Sequence, residues 1–243
     1  MQAHSQSNII KSGAFLWSSL PLKKDAQRES RKIAEGNTTE LSFFEMHATT
    51  QSQGATPRPP HDQKDIEELI IIKEGRMKTK IGDKEAILTP GAVLLISPLE
   101  MQTFENIGDG PLTYYVFMFR SKKPMDMARN YKHGGSLLLN ESDRESKETP
   151  KGSTRKFFDR PTAMTENFEI HTTTLNQKGP SHDPHTHPDT EIILVLQGET
   201  EMIIDEKHFS ANAGDLYFIE SNQKHEIKNS SDLPCTYFSF KWR

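Results

Sequence analysis

The sequence predicts an all-β protein built from two similar units. Its apolar residues fall into runs of three to six that turn residues interrupt, which is typical of strands. No segment repeats its apolar residues at the 3.6-residue spacing of an amphipathic helix. The third observation is an internal repeat, since residues 44–50 (FEMHATT) resemble residues 168–174 (FEIHTTT). Together these features predict two β-sandwiches or small barrels in one chain.

The register of the repeat supports a tandem duplication. The offset between matching residues is 124 at the first block and 123 further along, which implies a small insertion or deletion between them. The downstream matches pair Glu68 with Glu191, Gly75 with Gly198, Gly91 with Gly214, Asn106 with Asn229, Pro111 with Pro234 and Tyr114 with Tyr237. One register that holds over so many separated positions indicates two copies of one unit.

The expected strands follow in the same order in both units. β-branched and aromatic residues dominate each run, and glycine or another turn residue separates successive runs. In the first unit these runs are residues 69–72, 86–88, 93–96 and 114–119. In the second unit they are residues 192–196, 202–204, 216–219 and 236–240.

Composition sets the expected domain boundaries. We assign residues 1–30 to an N-terminal arm outside the repeat, residues 31–121 to the first domain and residues 157–243 to the second. Residues 122–156 are expected to form a charged linker, because nine of the sixteen residues from 141 to 156 are charged. Leu137-Leu-Leu139 precedes that stretch and is expected to anchor it to a barrel.

The composition also excludes some function classes. Net charge is −4 and the isoelectric point about 6.2, so no basic excess is present and nucleic acid is not an expected partner. No apolar run reaches the roughly 18–20 residues of a membrane-spanning helix. Cys235 is the single cysteine, which excludes an internal disulfide and a cysteine-rich metal site.

The first ten residues lack the basic and apolar regions of a signal peptide. The absence of disulfides favours a cytoplasmic location. An exported protein whose signal peptide had been removed is also compatible with the sequence.

Histidine is concentrated in the second unit, where six of the ten histidines lie between His171 and His225. His185 and His187 are two residues apart and share a face on an extended strand, as can Glu191, a further four residues along. His225 comes from a later strand or turn. Three imidazoles and a carboxylate suit one divalent transition metal, Mn, Fe, Co, Ni, Cu or Zn, with positions left open for a substrate.

These spacings resemble the motifs of the cupin superfamily. Its first motif, G-x5-H-x-H-x3,4-E-x6-G, is matched by Gly179, His185, His187, Glu191 and Gly198. The resemblance implies a bicupin, with two tandem jelly-roll barrels in one chain, and implies that His185, His187, Glu191 and His225 bind the metal. It also implies a homodimer, to which the N-terminal arm could contribute.

The second cupin motif, G-x5-P-x-G-x2-H-x3-N, is matched in part. Gly214, His225 and Asn229 fit, whereas Glu220 replaces the proline and Asn222 the glycine. Asparagine tolerates a positive φ, so Asn222 can still form the turn. Glu220 is interpreted as a turn residue.

The first unit departs from the motif at the ligand positions. An offset of 123 places Asp62, Lys64 and Gln102 where the second unit has His185, His187 and His225, and only Glu68 matches Glu191. His61 is displaced by one residue. A cationic lysine at a ligand position opposes metal binding, so we expect a first barrel without a metal.

Two functions fit the predicted site. The first is an enzyme acting on a small organic molecule, an oxygenase or a Lewis-acid isomerase or lyase. Resemblance to cupin oxygenases implies that Glu191 doubles as the catalytic base, and alternation from Glu191 places Ile193 and Val195 in the pocket wall. The alternative is a non-catalytic barrel in which the metal anchors a sugar or another small molecule.

Overall fold

The computed structural model describes residues 8–243, and nearly all their regular structure is β-strand, which confirms the predicted class. The first half contains β1 (Gly13–Phe15), β2 (Leu22–Lys24), β3 (Arg28–Gly36), β4 (Leu41–Gln51), β5 (Glu67–Glu74), β6 (Met77–Ile81), β7 (Lys84–Leu88), β8 (Val93–Ile96), β9 (Gln102–Asn106), β10 (Leu112–Ser121) and β11 (Leu137–Leu139). The second half contains β12 (Ser146–Thr149), β13 (Gly152–Arg160), β14 (Phe168–Leu175), β15 (Gly179–Pro180), β16 (Thr190–Gln197), β17 (Glu199–Ile204), β18 (Lys207–Asn212), β19 (Leu216–Ile219), β20 (His225–Asn229) and β21 (Cys235–Trp242). Residues 1–7 of the expected arm lie outside the described residues.

Each half forms a barrel from one large and one small antiparallel sheet. In the first barrel the large sheet has the order β11-β8-β5-β10-β4-β3-β2, and it faces the small sheet β7-β6-β9. In the second barrel the large sheet is β1-β19-β16-β21-β14-β13-β12, and the small sheet is β15-β20-β17-β18. The helix α1 (Met127–Lys132) and two 3-10 turns, Trp17–Ser19 and Glu141–Asp143, complete the described regular structure.

The structural repeat extends beyond the two barrels. At an offset of 124, β1 corresponds to β11, β2 to β12 and β3 to β13, and the two 3-10 turns correspond in the same way. Most of the expected arm (residues 1–30) and most of the expected linker (residues 122–156) are therefore one element in two copies. The two copies differ in sequence because β2 and β12 are exposed. Their backbone pairing is the same, but they share no apolar pattern.

The two copies of this element exchange partners. β1 precedes the first barrel but pairs with β19 of the second, with Phe15 opposite Leu216. β11 precedes the second barrel but pairs with β8 of the first, with Leu139 opposite Val93. The anchoring role expected for Leu137-Leu-Leu139 is thus observed. The described part of the arm completes a sheet of its own chain.

The strands at the centre of each large sheet are buried on both faces, which explains their continuous apolar runs. On β5, Ile70 and Ile72 fill the first barrel, whereas Leu69 and Ile71 point out of it. The second barrel repeats this arrangement: Ile193 and Val195 point inward, as alternation from Glu191 predicted, and Ile192 and Leu194 point outward.

The outward faces of the two large sheets pack against each other and form a third core between the barrels. Aromatic rings dominate it, with centroid separations of 4.8 Å for Phe117 and Phe240 and 5.1 Å for Phe44 and Trp242. Tyr115 adds a hydrogen bond from its hydroxyl to the carbonyl of Gly214, 2.7 Å away. The barrels are therefore joined by a buried apolar interface, not only by a connecting segment.

No helix within residues 8–243 is long and apolar enough to span a membrane.

Candidate metal centre

The predicted ligands converge at one end of the second barrel. Glu191 lies on β16 and His225 begins β20, whereas His185 and His187 lie in the loop between β15 and β16. A two-way backbone bridge holds His185 beside His225, with N–O distances of 3.1 and 2.9 Å. Asn222 has the predicted positive φ of 62°, and its N–H donates to the carbonyl of His187 at 2.8 Å. The unusual turn residue thus fixes the loop that carries two of the histidines.

The side chains form a compact nitrogen and oxygen donor set. One ring nitrogen from each of His185, His187 and His225 lies within 4.8 Å of the others. Glu191 Oε2 lies 3.0 Å from His187 Nε2 and 3.1 Å from His225 Nε2. The structure therefore brings all four predicted residues together.

Other groups fix the orientation of these side chains. His187 Nδ1 lies 3.0 Å from the carbonyl of Asp189, and His225 Nδ1 lies 2.9 Å from that of Gln223. Because a carbonyl accepts only from a protonated Nδ1, Nε2 is the nitrogen left for a metal. The hydroxyl of Ser239 donates to Glu191 Oε1 at 2.6 Å and leaves Oε2 directed at the histidines.

The ionisation of these groups reflects their mutual contacts. Burial alone raises the pKa of Glu191, but its contacts with His187 and His225 outweigh burial and hold that pKa well below its usual range. Burial also opposes a charge on His225, yet its contact with Glu191 raises the pKa of the imidazole. Partial desolvation, together with the neighbouring histidines, lowers the pKa of His185 to about 4.

This arrangement fits a divalent transition metal. Neutral imidazole Nε2 atoms and an anionic carboxylate are the donors that such ions prefer, and the carbonyls behind the rings supply the usual outer support. His225 and Glu191 are buried, whereas His185 is exposed. The donor set is therefore held by the barrel on one side and accessible on the other.

The family match falls once in each barrel. A family model described as "Cupin domain" matches the sequence twice, over residues 46–118 and 171–241. The chain belongs to the cupin family. The predicted bicupin, two tandem jelly-roll barrels in one chain, is thereby confirmed. No curated protein matches this cupin significantly.

Several solved structures share the bicupin architecture. The oxalate decarboxylase of Lactobacillus farciminis in complex with formate is 12% identical, with 96% of this chain and 87% of that chain covered and a TM-score of 0.72. AerE from Microcystis aeruginosa is 13% identical, covers 95% and 99%, and has a TM-score of 0.71. A Bacillus subtilis oxalate decarboxylase structure from a study of its Mn(II) centres is 12% identical, covers 95% and 77%, and has a TM-score of 0.68. At these identities the likeness establishes the fold.

The first cupin barrel has a different residue set from the one that the constant offset predicted. His61 forms the antiparallel bridge with Gln102 that His185 forms with His225. The carbonyl of Gln63 accepts from Leu99 N at 2.7 Å, as that of His187 accepts from Asn222 N. His61 and Gln63 therefore occupy the positions of His185 and His187. The prediction of Asp62 and Lys64 there was wrong.

The four residues in the first barrel form a hydrogen-bonded cluster. Gln102 Nε2 donates to Glu68 Oε2 at 3.0 Å and lies 3.5 Å from His61 Nε2. Gln63 lies beside the same carboxyl group and favours its ionised form. Since amide nitrogens are not metal ligands, one imidazole and one carboxylate are the strong donors of this set. The expectation of a metal-free barrel therefore now depends on two glutamines and no longer on Lys64.

The sequence did not predict the contacts of two residues, Ser239 and Glu220. Ser239 holds Glu191, and alternation from Tyr237 on β21 was the signal that could have placed it in the barrel. Glu220, interpreted as a turn residue, opens a turn in which its carbonyl accepts from Gln223 N at 3.3 Å, and it also binds the segment before β1. Its carboxylate accepts from Lys11 Nζ and from Ser12 N, each at 3.2 Å. That contact spans more than 200 residues, so no local pattern could reveal it.

Proposed function

We propose that the second cupin barrel binds one divalent transition metal and uses it to transform a small organic molecule. The ligands are His185, His187, Glu191 and His225, and the reaction is that of an oxygenase or of a Lewis-acid isomerase or lyase. The observation that carries the proposal is the convergence of three imidazoles, within 4.8 Å of one another, on a carboxylate that contacts two of them.

When bound, such a metal supplies Lewis acidity toward an enediol, enolate or carboxylate, and a redox-active one also supplies dioxygen activation. The chain's own residues hold the reactants in place. Ser239 donates to Oε1 of Glu191 and so sets the orientation of the carboxylate that we propose as the base. Ile193 and Val195 form an apolar wall behind it that excludes water.

The structural neighbours support a divalent metal and a small substrate. Oxalate decarboxylases are among them, one in complex with formate and one described with Mn(II) centres. Manganese is therefore the first metal to test, and small carboxylic acids belong in the first substrate panel.

The test begins with the metal content of the purified protein, measured by inductively coupled plasma mass spectrometry. We expect about one equivalent per chain, and almost none in the His185→Ala/His187→Ala variant, because that change removes two of four ligands. The matched control is His208→Ala, which removes an exposed histidine that pairs with Glu201. Metal retained in the double variant, with an unchanged circular dichroism spectrum, contradicts the assigned site.

Turnover then separates the two functions. Oxygen consumption or product formation with diols, flavonols or small carboxylic acids supports the enzyme, provided that the double variant lacks it. A tightly bound zinc with no turnover over that panel contradicts the enzyme and favours the metal-anchored binding protein.

A further inference from the structure

The first cupin barrel contains a cavity at the end that corresponds to the metal centre of the second. Its volume is about 130 Å³, and its wall combines polar and apolar side chains, among them Gln51, Arg58, His61, Glu68, Ile70 and Tyr114. An apolar cavity of roughly this size, about 150 Å³, accommodates benzene. The first barrel thus has room for a molecule of about six non-hydrogen atoms.

One buried polar atom in this wall lacks a partner. Gln51 is 3% exposed, and its amide nitrogen donates to the hydroxyl of Tyr114 at 3.1 Å. Its amide oxygen accepts no hydrogen bond from any residue between 8 and 243. Buried polar atoms are normally paired, so this oxygen favours an occupant that donates a hydrogen bond.

The mouth of the cavity carries a positive charge. Arg58 is exposed and makes no hydrogen bond or ion pair with the residues that the structure describes. His47, Thr49 and Arg58 also line a surface groove that continues outward from the cavity. Besides Arg58, the cationic residues of that groove are Lys23, Lys24, Arg28 and Lys32. Its anionic residues are Asp25, Glu29 and Glu45. The excess of cations favours an anion.

We propose that the first barrel binds a small organic carboxylate that also carries a hydroxyl or amino group. Its carboxylate pairs with Arg58 at the mouth, and its hydroxyl or amino group donates to the amide oxygen of Gln51 inside. Ile70 and Val116 contact its carbon skeleton. This site is separate from the metal centre and does not depend on it.

The state of Glu68 is compatible with an anionic occupant. Burial raises the pKa of its carboxyl group, and the hydrogen bond from Gln102 and the nearby Gln63 only partly offset that effect. A carboxyl that keeps its proton more readily repels a neighbouring anion less.

Isothermal titration calorimetry tests the proposal with glycolate, L-lactate, L-alanine and L-serine. We expect saturable binding of at least one of them with a stoichiometry of one. Acetate lacks the second polar group and 1,2-propanediol lacks the carboxylate, so each is expected to bind at least about tenfold more weakly. Absence of saturable binding by all four acids up to about 10 mM overturns the proposal.

Substitutions locate the site. We expect Arg58→Gln to weaken binding about tenfold or more, and Gln51→Leu to weaken it several-fold. Gln51→Leu is tolerable in this fold, because the corresponding residue of the second unit is Leu175. The control is Lys64→Gln, which removes an exposed cation outside the cavity wall.

The His185→Ala/His187→Ala variant distinguishes this site from the metal centre. Binding that persists there and is lost in Arg58→Gln supports the first barrel, whether or not the second binds a metal. Binding that is lost in the histidine variant and unchanged in Arg58→Gln assigns the ligand to the second barrel and overturns the proposal.

Discussion

Two residues distinguish the clusters at the ends of the two barrels. His187 and His225 in the second correspond to Gln63 and Gln102 in the first, whereas a histidine and a glutamate are shared. The structure brings the four residues of the second set together, as the motif spacing predicts. The first was misplaced because the chain has one more residue between Gln63 and Glu68 than between His187 and Glu191. That residue lies in the exposed turn before β5. Turns tolerate insertions, so the sequence there does not show at which residue the two units go out of alignment.

Restoring the two histidines tests this correspondence. We expect the Gln63→His/Gln102→His variant to bind a second metal equivalent, because His61 and Glu68 already occupy the matching positions. Elemental analysis checks this, with His185→Ala/His187→Ala added so that only the first barrel is counted.

The matched control for that experiment is Lys64→His/Gln102→His, which follows the constant offset of 123 instead. It is expected to gain no metal, since Lys64 does not occupy the ligand position. A gain in the control, without one in the Gln63 variant, contradicts the correspondence read from the backbone bridges.

At the scale of elements, the exchanged strands share a contact that the sequence did not reveal. Ser12 precedes β1, and its hydroxyl accepts from Glu220 N at 2.8 Å. Ser136 precedes β11, and its hydroxyl accepts from Ser97 N at the same distance. The apolar triplet of β11 was recognisable as an anchor, but Gly13–Phe15 was too short to predict as a strand. The partner of Ser136 is about 40 residues away in the sequence, and that of Ser12 about 200 residues away, so no local pattern predicts either contact.

Ser12→Ala is expected to loosen β1. Loss of the hydroxyl leaves Glu220 N without its acceptor and removes the one O–H donor that Gln223 Oε1 and Glu220 Oε2 share, at a cost of about 1 kcal/mol. Hydrogen exchange of the amides in residues 13–15 should become faster, and urea denaturation should detect the lost stability. Ser19→Ala is the control, because among residues 8–243 that hydroxyl bonds only to the nearby carbonyl of Leu16. Equal exchange rates in the two variants would contradict a role for Ser12 in holding the strand.

At the scale of the whole molecule, the main surprise is the core between the barrels. Continuous apolar runs such as residues 69–72 predicted buried strands. The alternation of side chains along a strand places one face of each strand in the barrel interior. What covers the other face is decided by tertiary packing, which a single sequence does not specify. The answer here is the equivalent face of the other unit.

Glu67 is buried beside this junction and links the barrels. Its Oε2 accepts from Thr162 Oγ1 at 2.7 Å and from Met164 N at 3.1 Å. Burial raises its pKa to about 7, although these bonds and the nearby Arg160 oppose the shift. The folded protein therefore keeps a proton between pH 4.5 and 7 that the unfolded chain has lost.

The sign of the effect follows from that difference in bound protons. As pH rises from about 4.5 to 7, this group destabilises the folded state progressively, by up to ~3 kcal/mol, and the effect is constant above pH 7. Glu67→Gln removes the ionisation and keeps an acceptor, so the free energy of unfolding should rise at pH 8 and change little at pH 5. Urea denaturation at both values measures this, with the exposed Glu148→Gln as control. An equal loss of stability between pH 5 and pH 8 in wild type and E67Q would exclude Glu67 as the source.

The exchange of β1 and β11 has a consequence for the origin of the chain. Each unit donates its leading strand to the other, and both present equivalent sheet faces to the shared core. This is the geometry of an intertwined homodimer whose subunits have been fused end to end. A single-unit ancestor with this architecture would have had to assemble as a pair. In a fused chain one half can lose histidines that the other half keeps, since the two halves can diverge in sequence while they remain structural partners.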